Sequence, residues 1–198
     1  MDSREGAGPQ SGGRRAIFFD RDGVLNRLLI GAYVTRWEEF EWLPRAREAL
    51  RLAHDLGWAA VVVTNQAGVG RGVQTQASLD EVHRRMRQDA GGGRIEAVYA
   101  CPHRPEDGCA CRKPQPGLLL RAAEELGLEL AGCHLIGDSE TDLAAAEAVG
   151  VQWWWLHEPS GDGAAPVQGG SGSATRPAAR VCVDVLEAVR RIGPCPPA

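Results

Sequence analysis

An alternation of short apolar runs with segments of helical character constrains the fold of this chain more than any other feature. The apolar runs that are typical of buried strands cover residues 16–19, 58–63, 95–99, 133–136, 151–156 and, at an edge, 181–183. The segments that are typical of helices cover residues 44–55, 76–89, 117–126, 141–149 and 184–192. Strands that alternate with helices pair in parallel through right-handed crossovers. The sequence therefore predicts an α/β fold with a mostly parallel sheet flanked by helices.

Length and composition indicate one globular domain with polar ends. The chain has 198 residues, of which 43% are hydrophobic, and this is enough for a single core. We place the domain at residues 16–193. Residues 1–15 are rich in Gly, Ser and Arg and are predicted to form a disordered tail, with a second short tail at 194–198. Residues 159–180 are rich in Gly, Ser, Ala and Pro and are predicted to form a flexible loop.

The charge balance and the lack of long apolar stretches argue against two classes of partner. Twenty-two basic residues against 26 acidic ones give a net charge of −4, without the basic excess of a duplex-binding protein. No segment has the length of a membrane span, and the Gly-rich N-terminus does not resemble a secretory signal. We therefore expect a cytoplasmic monomer that acts on a small molecule rather than on nucleic acid or a membrane.

Polar side chains follow three of the predicted strands at the point where each strand ends. Asp20 and Asp22 come after the first strand, Thr64 and Asn65 after the second, and Asp138 after the fourth. Because the carboxyl ends of parallel strands meet at one edge of a sheet, these groups can converge on one cleft. One carboxylate of an Asp-x-Asp pair can attack phosphorus while the other carries a proton, and a hard cation can bind beside them.

Lys113 is the one lysine among the 22 basic residues, and it follows Arg112 just before a predicted helix. Lysine is a compact point charge on a flexible stem, suited to reach one phosphoryl oxygen. A cleft that combines carboxylates, a hydroxyl, an amide and two cations is typical of phosphoryl transfer with Mg²⁺.

Asp138 and Asp142 are four residues apart, which is about one helical turn. Both carboxylates could reach one metal ion or its waters. The alternative for Asp142 is a capping role, since acidic residues stabilise the first turn of any helix.

A cluster of thiols and one imidazole lies between the third predicted strand and Lys113. Its members are Cys101, His103, Cys109 and Cys111. Three thiolates and one imidazole complete a tetrahedral zinc set with no open position, so we predict a structural Zn²⁺ rather than buried free thiols. His83 lies on the second predicted helix, and we expect it on the surface of that helix.

Four signatures occur in the order in which a known superfamily has them. They are Asp20-Arg21-Asp22-Gly23, Thr64-Asn65, Lys113, and Gly137-Asp138 followed by Asp142. Over about residues 16–156 the chain resembles the haloacid dehalogenase superfamily of aspartate-nucleophile phosphatases. The resemblance implies a Rossmann-like fold without a large cap domain, in which a zinc-binding loop and residues 27–43 shape the pocket.

The resemblance also implies roles for individual residues. Asp20 would attack phosphorus and form an aspartyl-phosphate, and Asp22 would protonate the leaving oxygen and then activate water. Mg²⁺ would be bound by Asp20, Asp22, Asp138, the backbone carbonyl of Arg21 and, in support, Asp142. The phosphate and substrate contacts would come from Thr64, Asn65, Gln66, Arg112 and Lys113. Zn²⁺ would be bound by Cys101, His103, Cys109 and Cys111.

Within the superfamily, two branches share the zinc loop. Residues 63–72 and the Tyr33-Val34 segment are similar to the branch that removes the 7-phosphate of D-glycero-D-manno-heptose 1,7-bisphosphate. The alternatives are histidinol-phosphate hydrolysis, a broad small-molecule phosphatase, and a zinc-stabilised module that binds phosphosugars without turnover. Ser139 stands where the heptose branch often has Lys, which removes a cation that faces the substrate.

Overall fold

The structure is a computed structural model that describes residues 13–91, 95–156 and 180–197. Its strands are β1 (Ala16–Phe19), β2 (Ala59–Asn65), β3 (Ile95–Cys101), β4 (His134–Gly137), β5 (Gln152–Leu156) and β6 (Val181–Cys182). Its helices are α1 (Ala46–Asp55), α2 (Gln76–Asp89), α3 (Gly117–Leu126), α4 (Glu140–Glu147) and α5 (Val185–Ile192). None of the helices in the described ranges is long and apolar enough to cross a membrane.

The strands form one open sheet in the order β3-β2-β1-β4-β5-β6. Every pair of neighbours is parallel, including the edge strand β6. In the register, Phe19 at the end of β1 lies beside Val62 of β2 and Ile136 of β4. The α/β fold predicted from the sequence is confirmed, and the sheet is parallel throughout rather than mostly parallel.

Alternation of side chains along the central strand divides the core between the two faces of the sheet. Ile17 and Phe19 pack with α1, α2 and α5, whereas Ala16 and Phe18 pack with α3 and α4. All four side chains of β1 are fully buried, which is expected of a parallel strand covered on both faces. The sheet is therefore a rigid central layer with helices on either side.

Two strands run further than the sequence indicated, and the extension places polar groups inside the ladder. Strand β2 includes Thr64 and Asn65 as its last two residues. Strand β3 continues to Cys101, which pairs with Asn65. The first ligand of the predicted zinc site is thus fixed by sheet hydrogen bonds beside the second signature.

The two long connections at the carboxyl edge are 20–45, between β1 and α1, and 102–116, between β3 and α3. Each contains a single short 3₁₀ turn, at Trp37–Glu39 and at Pro105–Asp107. The described residues contain no separate cap domain, in line with the fold class predicted above.

The described ends of the chain, which fall within the two predicted tails, are attached to the domain. Arg14 forms an isolated bridge with Leu128, and its guanidinium lies 2.8 Å from the carboxylate of Glu96. At the other end, the amide of Cys195 donates to the carbonyl of Leu56 at 2.9 Å. Backbone pairing of this kind holds 13–15 and 195 in place. The rest of the predicted N-terminal tail, and the loop predicted at 159–180 apart from Arg180, lie outside the described residues.

Candidate active site

The central strands bring the predicted polar groups to one cavity at the carboxyl edge of the sheet. Because β2, β1 and β4 are neighbours, the residues at or just beyond their ends, Thr64, Asp20 and Asp138, face a common space of about 240 Å³. Lys113 enters the same cavity from the connection between β3 and α3. An apolar wall comes from residues 28–34 of the β1–α1 connection. The cavity therefore has a charged floor and an apolar side.

Lys113 is almost fully buried, with 2% of its side chain exposed. Its ammonium lies 2.9 Å from Oδ1 of Asp20, donates to the carbonyl of Val63 at 2.8 Å, and forms an ion pair with Oδ1 of Asp142. Burial lowers the pKa of Lys113, but the charges of Asp142 and Asp20 outweigh this effect and the net pKa is raised. Lys113 is therefore a fixed positive charge at the floor of the cavity.

The positive charge of Lys113 offsets the negative charges of Asp20 and Asp138 only in part. Burial raises the pKa of Asp20 to about 7, with Lys113 opposing the shift and Asp142 and Asp138 adding to it. Burial and the charge of Asp142 likewise raise the pKa of Asp138 to about 6. A pair of buried carboxylates of this kind favours a bound cation.

The chemistry of the donor set fits a magnesium ion. Oxygen atoms of Asp20, Asp138 and Asp142 lie within 4.8 Å of one another. Gly23 leaves the space that one of them needs, because a Cβ there would lie 1.9 Å from Oδ2 of Asp138. Of the three, Asp142 is already engaged by Lys113 and Ser139, so Asp20 and Asp138 are the carboxylates best suited to hold Mg²⁺.

Asp142 caps α4, which is one of the two roles considered for it, and it also pairs with Lys113. Its Oδ2 accepts from the amide and the hydroxyl of Ser139, at 3.2 and 2.5 Å, in a capping box. Gly137 permits this close approach, because a Cβ at that position would lie 2.4 Å from Cβ of Asp142. Ser139, which stands where a lysine is frequent in the heptose branch, is thus the N-cap of α4.

Asp22 is held by four hydrogen bonds that reach both carboxylate oxygens. Nη2 of Arg21 donates to Oδ1 and Oδ2 at 3.0 and 2.8 Å. Nδ2 of Asn26 donates to Oδ1 at 2.9 Å, and Nε2 of Gln66 donates to Oδ2 at 2.7 Å. Burial raises the pKa of Asp22, but the charge of Arg21 and these hydrogen bonds outweigh it, so the net pKa is lowered. Asp22 is therefore a carboxylate in the free protein, and it is not among the clustered oxygens of the cation site.

The backbone carbonyl of Arg21, which was predicted as a metal ligand, accepts hydrogen bonds within the protein. It accepts hydrogen bonds from the amides of Leu25 and Asn26 at 2.8 and 3.0 Å, in the turn that follows the Asp-x-Asp pair. A carbonyl oxygen has two lone pairs, so both are used within the turn. The side chain of Arg21 is buried as well, with 1% exposed.

His83 was expected on the helix surface and is instead buried next to Arg21. Its Nε2 lies 3.0 Å from Nη1 of Arg21. Burial and the positive charge of Arg21 lower the pKa of His83 to about 3. The signal that could have found it is its spacing, because Leu79, Val82, His83 and Met86 form the buried face of α2 at helical intervals.

Three residues predicted to contact substrate are engaged within the protein. The amide of Asn65 pairs with the backbone of Lys113, donating to its carbonyl at 2.9 Å and accepting from its N–H at 3.1 Å. Gln66 donates to the hydroxyl of Thr64 at 2.9 Å as well as to Asp22. Arg112 donates to the carbonyl of His103 at 3.3 Å. Asn65 lines the cavity with Thr64 and Lys113, so its visible role is to position the lysine.

The four predicted zinc ligands come together in the connection between β3 and α3. Their donor atoms lie within 4.8 Å of one another. Sγ of Cys111 is 3.2 Å from Sγ of Cys101 and 3.5 Å from Sγ of Cys109, and Nδ1 of His103 is 3.3 Å from Sγ of Cys111. Ligands bound at 2.0–2.3 Å in a tetrahedron are about 3.3–3.8 Å apart, so the donor set fits a closed zinc site. No disulfide joins any of these cysteines in the described residues.

Comparisons with known proteins agree with this site. The family described as HAD-hydrolase-like matches residues 110–188. A D-glycero-beta-D-manno-heptose-1,7-bisphosphate 7-phosphatase from Pseudomonas aeruginosa is 40% identical over 141 residues, covering 70% of this chain and 79% of the relative. A D-glycero-alpha-D-manno-heptose-1,7-bisphosphate 7-phosphatase from Mycobacterium tuberculosis is 38% identical over 143 residues, 71% of this chain and 75% of the relative.

A solved structure is similar over almost the whole chain. It is the D,D-heptose 1,7-bisphosphate phosphatase from Bordetella bronchiseptica complexed with magnesium and phosphate, with a TM-score of 0.77 and 35% identity. The match covers 90% of this chain and 97% of that chain. The similarity therefore extends over almost the whole chain and is not confined to a shared core.

Proposed function

The chain belongs to the haloacid dehalogenase superfamily and is a phosphoric monoester hydrolase, and we propose that it removes the 7-phosphate of D-glycero-D-manno-heptose 1,7-bisphosphate with Mg²⁺. The observation that carries the proposal is the buried ammonium of Lys113 beside Asp20, with Thr64 and Asp138 around the same cavity. The names of the relatives supply the substrate, and the magnesium and phosphate complex from B. bronchiseptica supports the cofactor.

In the proposed first step, an oxygen of Asp20 bonds to phosphorus while the bond from phosphorus to the sugar oxygen breaks. Oδ1 of Asp20 accepts from the amide of Arg21 at 2.7 Å and from Lys113, which fixes the direction of the carboxylate. Lys113 and the Thr64 hydroxyl are placed to hold oxygens of the transferring phosphoryl group. When bound by Asp20 and Asp138, Mg²⁺ supplies positive charge that offsets the negative charge gathered there.

Asp22 is proposed to move the protons of both steps. It donates a proton to the leaving sugar oxygen, then takes one from the water that attacks the aspartyl-phosphate and releases inorganic phosphate. The free protein holds Asp22 as a carboxylate. The negative charge of a bound phosphate beside Asp22 raises its pKa and favours uptake of the proton that it then donates.

Zinc is proposed to act through structure rather than chemistry. Lys113 follows the last zinc ligand, Cys111, by two residues, and the carbonyl of Cys101 accepts from the amide of Gln66 at 2.7 Å. A closed metal site at these ligands would hold the backbone near Lys113 and near Gln66, on two sides of the cavity. We further propose a single domain and a monomer acting on a small phosphorylated sugar; the predicted cytoplasmic location stays a prediction.

The substrate is tested by measuring kcat/KM with Mg²⁺ on both anomers of heptose 1,7-bisphosphate and on histidinol phosphate. A strong preference for the bisphosphate supports the proposal. It would also show that the reaction does not need the lysine that the heptose branch often has at the position of Ser139. A preference for histidinol phosphate would refute the substrate while leaving the aspartate chemistry in place.

The nucleophile is tested by Asp20→Asn, which keeps the shape of the side chain but removes the attacking carboxylate. We expect kcat/KM to fall by at least several hundred-fold, because acid–base help alone is worth roughly 10²–10⁴-fold and the covalent route is lost as well. Asp80→Asn, on the exposed face of α2, is the matched control and should leave kcat/KM unchanged. Retained turnover in Asp20→Asn would refute the mechanism, whereas a wild-type protein that binds the sugar phosphate without turnover would favour the binding module.

A further inference from the structure

Arg21 and His83 form a buried pair that the proposed chemistry does not use. Arg21 is 1% exposed and His83 is 8% exposed, and they meet at 3.0 Å between Nη1 and Nε2. They come from different elements, since Arg21 lies just beyond β1 and His83 lies on α2. A buried guanidinium is costly unless it is hydrogen-bonded, so its partners decide where it lies.

The hydrogen bond with Arg21 determines the protonation state of His83. An arginine side chain has donors and no acceptor, so Nε2 of His83 must be the acceptor in this hydrogen bond. The imidazole is therefore neutral, with its proton on Nδ1. A neutral acceptor orients the guanidinium and leaves the positive charge of Arg21 available for Asp22.

The second terminal nitrogen of Arg21 reaches the Asp22 carboxylate. Nη2 lies 3.0 and 2.8 Å from the two oxygens of Asp22. Within the described residues, Nε of Arg21 has no hydrogen-bond partner. The direction of the guanidinium therefore depends chiefly on His83 at one nitrogen and on Asp22 at the other.

We propose that His83 is a positioning residue for the carboxylate of Asp22 and acts through the Arg21 guanidinium. The inference rests on the proposed function, because it concerns the group that moves the protons of the reaction. Without the acceptor on α2, Nη1 of Arg21 loses its buried partner and the guanidinium turns to find another. Asp22 then loses the two hydrogen bonds from Arg21 and keeps only those from Asn26 and Gln66, so its direction toward the leaving oxygen is less well fixed.

The test compares two variants on two classes of phosphate ester. His83→Leu fills the space without an acceptor, whereas the Oε1 of His83→Gln stands the same number of bonds from Cβ as Nε2. The substrates are heptose 1,7-bisphosphate, whose alkoxide leaving group needs a proton, and p-nitrophenyl phosphate, whose phenolate leaves without one. We compare kcat/KM because it reports the step in which the leaving group departs.

For His83→Leu we expect kcat/KM on the bisphosphate to fall about 10- to 100-fold, part of the roughly 10²–10⁴-fold that acid–base catalysis provides. On p-nitrophenyl phosphate we expect a change of less than about threefold, and His83→Gln should restore most of the activity on the bisphosphate. Equal losses on both esters would show that His83 serves the fold only, and unchanged activity on both would also overturn the proposal.

A substitute variant and a substitute substrate allow the test to be completed if the first choices fail. If His83→Leu does not fold, His83→Asn replaces it, because its Oδ1 stops one bond short of the position of Nε2. If the wild-type enzyme hydrolyses the aryl ester but not the bisphosphate, the substrate proposal fails, and the comparison is made with histidinol phosphate. Histidinol phosphate also has an alkyl leaving group, so it tests the role of His83 even if the heptose bisphosphate is not the substrate.

Discussion

Asp20 and Asp22 lie two residues apart, and their surroundings shift their pKa values in opposite directions. Burial and nearby carboxylates raise the pKa of Asp20, whereas Arg21 and two amide side chains lower that of Asp22 against the effect of burial. The two carboxylates meet different partners, since Lys113 lies beside Asp20 while Arg21, Asn26 and Gln66 donate to Asp22. Such a separation is how one short motif can supply two chemical roles.

Gly23 offers a residue-scale prediction, since it has a φ of +87° and sits against Asp138. In Gly23→Ala the new Cβ would lie 1.9 Å from Oδ2 of Asp138 and would force that carboxylate away. We expect kcat/KM to fall by more than about tenfold, because a displacement near 1 Å in an active site can cost 10²-fold. Steady-state kinetics with saturating Mg²⁺ measure the effect.

Gly127→Ala is the matched control for the backbone cost. Gly127 has a φ of +64°, and a Cβ added there would meet no atom within 4 Å. Both variants should therefore lose about 1–2 kcal/mol of stability from the left-handed conformation. Only Gly23→Ala should lose activity, and equal kinetics in the two variants would contradict the role of Gly23 in placing Asp138.

At the scale of elements, the connection between β3 and α3 joins the predicted zinc site to the catalytic lysine. The carbonyl of Pro102 accepts from the amide of Gly70 at 2.9 Å, and the carbonyl of Ala110 accepts from the amide of Gly117 at 3.2 Å. These bonds attach the connection to the segment between β2 and α2 on one side and to α3 on the other. Because the connection has few apolar groups of its own, we expect its order to depend on a bound metal ion.

Cys109→Ser tests this dependence. We expect wild-type protein to contain about one Zn²⁺ per chain, and the variant to contain much less, because a hydroxyl is a poor replacement for a thiolate ligand. The midpoint of thermal unfolding should fall by more than about 5 °C, and kcat/KM should fall about tenfold or more as Lys113 loses its fixed position. Metal analysis, calorimetry and kinetics are measured on the same samples.

Cys195→Ser is the control, because Cys195 lies outside the cluster and is held through its backbone. It should keep the zinc content and the kinetics of the wild type. A Cys109→Ser protein with full zinc content would contradict the assignment of the four ligands.

At the scale of the whole molecule, each edge of the sheet has a cavity, and the two cavities differ in the chemistry of the residues that line them. A cavity of about 1010 Å³ lies at the amino ends of β2 and β3, larger than the 240 Å³ cavity that contains Asp20. Among the charged groups around the larger cavity, Arg14 is paired with Glu96, and Arg84 with Glu81 of the same helix. The candidate active site is therefore not the larger cavity. It is identified by its buried carboxylates and Lys113.

Trp58 tests the independence of the two edges. It lines the larger cavity, and its indole N–H donates to the carbonyl of Gly193 at 2.8 Å. Trp58→Phe should cost about 1 kcal/mol for the lost hydrogen bond and lower the unfolding midpoint by about 2–4 °C. We expect kcat/KM to stay unchanged, and a loss of activity in the folded variant would show that the edges are coupled.

The sequence by itself determined the α/β fold, the strands that end at the site, and the clusters of carboxylates and thiols. It could do so because strand and helix periodicities are local, and because parallel strands place their carboxyl ends together. Asp20, Thr64 and Asp138 were predicted to converge for this reason, Lys113 was singled out as the one lysine of the chain, and the α/β fold was confirmed.

Only the tertiary structure decided which partner each polar group takes. That Asn65 holds the backbone of Lys113, that the carbonyl of Arg21 closes a turn, and that His83 faces Arg21 all depend on contacts between distant segments. Sequence patterns indicate which face of an element is buried, but not what it meets there. A buried hydrogen bond requires its donor and acceptor to be placed to within a few tenths of an ångström, and that placement arises only when the elements pack.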